Sequence, residues 1–196
     1  MSETRGPWTI HAERVAFESP WMRVHEFDVT QPDGKPGIYA VMSPRNLALV
    51  VLPLHADGRI TLVGQHRFAL DRYSWELPAG GGQLDGDPVD DARRELREET
   101  GLSADRWSEI LQLDLSNSIT DERAIGYLAT GLHEGEPEPE GTEVLRTRRI
   151  HFLDALDEAM SGQIRDALTV AMLLRAYYMA QEGLLASELS GVMLNR

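Results

Sequence analysis

The chain has 196 residues, 42% hydrophobic and 26% charged, enough for one sizeable core and too few for two large domains. Its 32 acidic residues against 19 basic ones leave a formal charge of -13, which excludes a surface built to neutralise nucleic-acid phosphates or an anionic membrane. With no cysteine, disulfides, thiolate nucleophiles and sulfur-ligated metals are excluded as well, so any metal takes oxygen or nitrogen ligands. In chain order, Met1 to Trp8 shows no apolar run after a basic start, and no stretch reaches the ~18 apolar residues of a membrane span. A soluble, cytoplasmic protein without nucleic-acid or membrane partners is expected.

Residues Trp8–Phe17, Trp21–Thr30, Ile38–Met42, Leu47–His55 and Arg59–Phe68 are β-branched or aromatic-rich runs, and each reads as a strand. Turns separate them at Glu18-Ser19-Pro20, Gln31-Pro32-Asp33-Gly34 and Asp57-Gly58, where Pro presets φ and Gly accepts positive φ. Asp57-Gly58 between two apolar runs predicts a hairpin over Leu47–Phe68, with strands apolar enough to be covered on both faces. Ala79-Gly-Gly-Gly reads as a loop of unusual backbone freedom. Asp87 before Pro88 caps a helix running to Thr100, and Gly101 ends it. Strands follow at Trp107–Leu115, Arg123–Thr130 and Val144–Phe152, with an acidic, Pro-rich loop from His133 to Gly141 before the last. Helices at Ala155–Met160 and about Arg165–Gln181 close the chain. This order suggests α+β, or a sheet sandwiched by helices.

The helix from Pro88 carries the chemistry. At ~100° per residue, Val89, Ala92 and Leu96 share the buried stripe and Glu95 and Glu99 lie at its edge, with Glu98 well away from it. Two carboxylates one turn apart beside a buried face repel each other and lose hydration unless a cation lies between them. A divalent metal supplies that charge, and a main-chain oxygen of the glycine segment, such as that of Ala79, can turn toward the same ion. The alternative at this point is a solvated helix face laced with i, i+3 and i+4 ion pairs.

The stretch from Gly80 to Leu102 resembles the Nudix box, G-x5-E-x7-R-E-U-x-E-E-x-G-U with U aliphatic, the signature of the Nudix hydrolase family. Gly80, Arg94, Glu95, Leu96, Glu98, Glu99, Gly101 and Leu102 fall in register, and Gly86 stands where the motif has its first Glu. Gln65-His66-Arg67 and Trp75-Glu76-Leu77-Pro78-Ala79-Gly80 are similar to the Q-x-R and W-E-L-P-A-G runs of the ADP-ribose and nucleoside-diphosphate-sugar pyrophosphatase branch. Ser116 to Glu122 resembles that branch's S-P-G-x-[ST]-x-E loop, with Asn117 and Ser118 for Pro-Gly, and Gly162 to Ala167 its closing G-x-I-x-D-A segment. The resemblance implies the α+β Nudix fold, a mixed β-sheet sandwiched between helices (α/β/α). It also implies an N-terminal antiparallel β region over residues 1–45 that pairs two subunits into a homodimer, with residues 46–196 as the hydrolase domain.

Carried over by residue, the resemblance implies that Glu95, Glu98 and Glu99 with the Ala79 carbonyl hold Mg2+ or Mn2+, and that Arg94 orients the carboxylates. Arg67 contacts a substrate phosphate, and Glu76 and Ser116 belong to substrate-binding segments. Glu143 is the expected general base, with Glu140 the alternative; Trp8, Trp21 and Tyr39 are nucleobase-stacking candidates by residue type. The implied reaction is hydrolysis of the diphosphate bridge of a nucleotide sugar, foremost ADP-ribose to AMP and ribose 5-phosphate. A GDP-mannose or broad nucleotide-sugar pyrophosphatase is the nearest competitor, and a non-catalytic Nudix-fold nucleotide sensor the competitor of another class.

Overall fold

A computed structural model describes residues 3–138, 141 and 144–195, which divide into two compact units. The first comprises residues up to Leu47 together with Asp114–Arg123. In it β1 (Glu3–Arg5), β2 (Trp8–Glu18), β3 (Met22–Thr30) and β4 (Pro36–Pro44) form an antiparallel sheet in chain order. The turn at residues 31–35 closes by Gln31 N–H to Lys35 O (2.8 Å), with Gly34 at φ 85°. Phe27 and Val29 of β3 are buried, whereas β2 is exposed from His11 to Glu18 on both faces. The 114–123 segment joins this sheet through Met42 N–H to Ile119 O (2.8 Å), the Tyr39 hydroxyl to Ser118 O (2.7 Å) and the Ser43 hydroxyl to Asp121 (2.8 Å).

The second unit holds two further sheets and four helices. One sheet runs in the order β8 (Ala79–Gly82), β5 (Leu47–Pro53), β10 (Arg123–His133) and β9 (Ser103–Asp114), with β5 and β10 parallel. The other is antiparallel, β11 (Arg146–His151), β6 (Arg59–Arg67) and β7 (Arg72–Glu76). Val50, Leu52 and Leu54 enter a core with Ile60 and Leu62 and with α2 (Phe152–Met160), α3 (Ala167–Gln181) and α4 (Ser187–Leu194). Leu49 and Val51 point the other way and are buried as deeply. Coverage on both faces explains why β5 reads as a continuous apolar run.

Three expectations change. The hairpin over Leu47–Phe68 forms only at its tip, where His55 N–H meets Arg59 O (2.8 Å) and Leu54 bridges Ile60; beyond it β5 and β6 part into different sheets. The α+β class holds, with a mixed sheet, β8-β5-β10-β9, and an antiparallel one, β11-β6-β7. Ala79–Gly82 is a strand, and none of its glycines has positive φ. Their role is close approach: a Cβ on Gly82 would lie 2.7 Å from Leu49 Cδ1, and one on Gly80 would overlap the Glu95 carboxylate. Finally, a short α4 follows the helices read from sequence, contributing the buried Met193 to the core. No helix among the described residues is long and apolar enough to cross a membrane.

Candidate active site

The helix α1 (Pro88–Thr100) has the boundaries its caps dictate. The Asp87 side chain accepts from Val89 N–H (3.1 Å), Pro88 needs no partner for a missing N–H, and Gly101 at φ 73° donates to Arg97 O (2.8 Å). The helix packs on β8 and β6 and buries Ala92, Leu96 and Glu99. Glu99 is only 3% exposed, and its Oε2 accepts the Ala79 N–H at 3.0 Å. Glu95 lies over Gly80, and the missing side chain makes room for its carboxylate.

Arg94 ties this face together. It donates to Glu95 Oε1 (2.7 Å), Glu98 Oε2 (2.8 Å) and Gly81 O (3.1 Å). Burial alone would lower the Arg94 pKa, but the Glu95 and Glu98 carboxylates outweigh it and raise it above the ordinary value. Glu98, which helical projection set apart from the buried stripe, is drawn back by Arg94, and its side chain is 21% exposed. The loop leading into the helix is held by Gln83 N–H to Asp91 (2.8 Å). Within it, Gly86 has ordinary φ, and a Cβ there would sit 3.4 Å from Gln83 Cβ, so nothing in the local packing requires glycine.

The second part of the site comes from β6 and β7. Their register places Arg67 opposite Arg72 and Val63 opposite Glu76. Glu76 is 6% exposed and accepts from Arg67 Nε (3.1 and 3.2 Å) and Nη2 (2.5 Å). This hydrogen bonding is the foremost reason that the Arg67 pKa is raised, and the nearby Asp166 and Glu99 charges add to it. Glu76 therefore acts on Arg67, while the Arg67 side chain stays 40% exposed. Sequence reasoning missed Thr169. Its hydroxyl accepts the Leu77 N–H (2.9 Å) and donates to Asp166 (2.8 Å), which fastens the segment between Glu76 and Ala79 to the start of α3. The Asp166-Ala167 pair of the closing motif was the signal.

Comparison with known proteins decides the family. The NUDIX domain model matches residues 44–170 and the model for the nucleoside diphosphate sugar hydrolase N-terminal domain matches residues 8–42. The chain belongs to the Nudix hydrolase family. This Nudix chain is 35% identical over 133 residues to the ADP-ribose pyrophosphatase of Mycobacterium tuberculosis, covering 66% of this chain and 64% of that protein. It is 31% identical over 163 residues to the ADP-ribose pyrophosphatase of Bacillus subtilis, covering 82% and 87%. A crystal structure of an ADP compounds hydrolase shares the fold with a TM-score of 0.79 at 19% identity, covering 91% of this chain and 97% of that one.

Nudix hydrolases use divalent cations, and the residues here can be tested against that requirement. Glu95, Glu98 and Glu99 offer the hard oxygen donors that such ions take. Among the described residues no group of three or more His, Asp or Glu is gathered tightly enough to hold an ion, since Arg94 bonds to both Glu95 and Glu98 and Glu99 is turned onto Ala79. Ala79 presents its N–H, not its carbonyl, to Glu99. The donor set fits a hard divalent cation in kind, with Glu95, Glu98, Glu99 and the Ala79 carbonyl the groups that would hold it.

The remaining sequence-derived residues fall elsewhere. Glu143 and Glu140 lie outside the described residues. The chain leading toward them is fixed at its root, where Glu138 N–H donates to Glu98 O (3.0 Å) and a Cβ on Gly101 would overlap the Gly135 carbonyl. Within the first unit, Trp8 and Tyr39 meet edge to face at 5.3 Å and line a cavity of about 330 Å3 with Arg5 and Phe27. Trp21 is 77% exposed and does not line that cavity. Ser116 sits at φ 43° and accepts Ile119 N–H at 2.9 Å through its carbonyl.

Proposed function

We propose that this Nudix protein hydrolyses the diphosphate bridge of a nucleoside diphosphate sugar, foremost ADP-ribose to AMP and ribose 5-phosphate, with Mg2+ or Mn2+. The observation that carries the reading is that one short segment joins the two parts of the site: Glu76 holds Arg67, and three residues on the Ala79 N–H is held by Glu99 of α1 at 3.0 Å. The likeness to two ADP-ribose pyrophosphatases supports the substrate class. Glu76 occupies Nε and Nη2 of Arg67, which presents the Nη1 edge of the guanidinium to a phosphate oxygen. Arg94 orients Glu95 and Glu98. A divalent cation held by Glu95, Glu98 and Glu99 with the Ala79 carbonyl would neutralise phosphate charge and lower the pKa of the attacking water. Glu143 takes the proton of that water, with Glu140 as the alternative base. Exposed Val15, Phe17 and Ile38 in the N-terminal sheet support pairing of two chains through residues 1–45.

The test is release of phosphate monoester from ADP-ribose and from GDP-mannose with Mg2+, in wild type beside Glu99→Gln. ADP-ribose cleavage that drops by about two orders of magnitude or more in the variant supports the reading. Faster GDP-mannose cleavage moves the substrate and keeps the residue roles. Binding of ADP-ribose with no turnover of either compound refutes the hydrolase and leaves a sensor.

A further inference from the structure

The outer side of α1 carries two charges, Arg93 and Arg97, that the site above does not use. Arg93, Arg94 and Arg97 line a cavity of about 270 Å3 together with Asp90 and with Ser103, Ala104 and Trp107 of β9. In a chain of formal charge -13 this is an unusual concentration of cations. A solvated helix face distributes opposite charges at i, i+3 and i+4, but the neighbours of Arg97 at those spacings are Arg93, Arg94, Thr100 and Gly101. Arg97 makes no ion pair among the described residues. Its place in the last turn suits the helix dipole, which does not account for a second arginine one turn before it. Like charges at i and i+4 cost stability unless an anion lies between them.

The wall opposite is preformed. The Trp107 indole N–H donates to Ala104 O (3.1 Å), its ring meets Tyr127 edge-on at 6.2 Å, and the Arg93 guanidinium stands 5.8 Å from its centroid. Arg93 also pairs with Asp90 at 2.6 Å, but both side chains are largely exposed and such a pair yields readily to a better anion. Planar guanidinium forks match the oxygens of a tetrahedral oxyanion, and an indole face takes a flat ring. The volume lies just below the usual range for small-molecule pockets, which suits a single phosphate group or a small phosphate ester over a dinucleotide.

We propose that Arg93, Arg97 and Trp107 form a binding site for a phosphate dianion on the outer side of α1, beside Arg94, whose guanidinium is held by Glu95, Glu98 and Gly81. The dianion is either free orthophosphate or the terminal group of a phosphate monoester. The site does not depend on the proposed hydrolase activity, and its test needs no turnover.

Orthophosphate and AMP are titrated separately by calorimetry, with a chelator present, into wild type, Arg97→Gln and the double variant Arg67→Gln/Glu76→Gln. The double variant removes both charges of the buried pair together, so no lone charge is left behind. Orthophosphate binding that weakens at least tenfold in Arg97→Gln and is unchanged in the double variant is the expected result. AMP binding tenfold tighter than orthophosphate, with the advantage lost in Trp107→Ala, assigns a phosphate monoester whose ring lies on the indole. Equal affinities assign free orthophosphate. Absence of orthophosphate binding to wild type at millimolar concentration, or weakening in the double variant with none in Arg97→Gln, overturns the proposal.

Discussion

Replacing Thr169 by Val tests how the Glu76 to Ala79 segment is held. Thr169 is fully buried, and its hydroxyl is the partner of the Leu77 N–H at 2.9 Å and a donor to Asp166 at 2.8 Å. Valine keeps the shape and removes both bonds. The Leu77 N–H, on a residue 1% exposed, is then left without that acceptor, at a cost of about 1–3 kcal/mol. Loss of the bond to Asp166 adds on the order of 1 kcal/mol, discounted because Asp166 is half-buried and still accepts the Thr169 N–H at 2.8 Å. The sum is about 3 kcal/mol, equivalent to a drop in Tm of roughly 6–12 °C for a chain of this size. Thr169→Ser retains the hydroxyl and loses one methyl, at about 1 kcal/mol. Urea and thermal unfolding of the three proteins decide the matter. Equal losses for Val and Ser, or a Val variant within about 0.5 kcal/mol of wild type, would refute the reasoning.

Gly80→Ala drives a Cβ into the Glu95 carboxylate, so turnover falls on the order of a hundredfold while stability drops by about 1–3 kcal/mol. Unaltered kcat in that variant would show that Glu95 has room to move. Gly101→Ala puts alanine at φ 73° and against the Gly135 carbonyl, and a loss above about 1–2 kcal/mol is expected in urea unfolding. His55 is kept neutral foremost by burial and then by the Arg149 charge, so its folded pKa lies below the unfolded value of 6.5. Its contribution is complete above pH 6.5 and is lost as the pH falls through the depressed folded pKa. His55→Gln flattens the acid side of the stability curve below pH 6.5, and an unchanged slope of urea midpoint against pH there would count against this.

Local chemistry was fully legible in the sequence. The helix from Pro88 to Thr100 begins and ends where Asp87, Pro88 and Gly101 require, because each cap is satisfied within one turn of chain. The spacing of Glu95, Glu98 and Glu99 is likewise a property of the helix alone, and with Gly80 and Arg94 it was enough to bring the family into view. Strands β2, β3 and β4 of the N-terminal sheet and the two-sided burial of Leu47–Pro53 follow from residue type and apolar pattern, whereas β1 does not.

Partner choice was decided by tertiary structure. Asp57-Gly58 makes a turn, yet β5 takes β8 and β10 as neighbours, because burying both faces of an apolar strand outweighs completing a local hairpin. Gly80 and Gly82 read as freedom in the sequence and act as clearance in the fold, for Glu95 and Leu49 respectively. Glu76, expected in a substrate-binding segment, is buried and holds Arg67; Thr169, distant in sequence, holds Leu77. A sequence encodes directly what is settled between neighbours on one helix or one turn. Which distant groups meet is settled by competition among all the ways of burying the same apolar surface, and only the folded chain records the outcome.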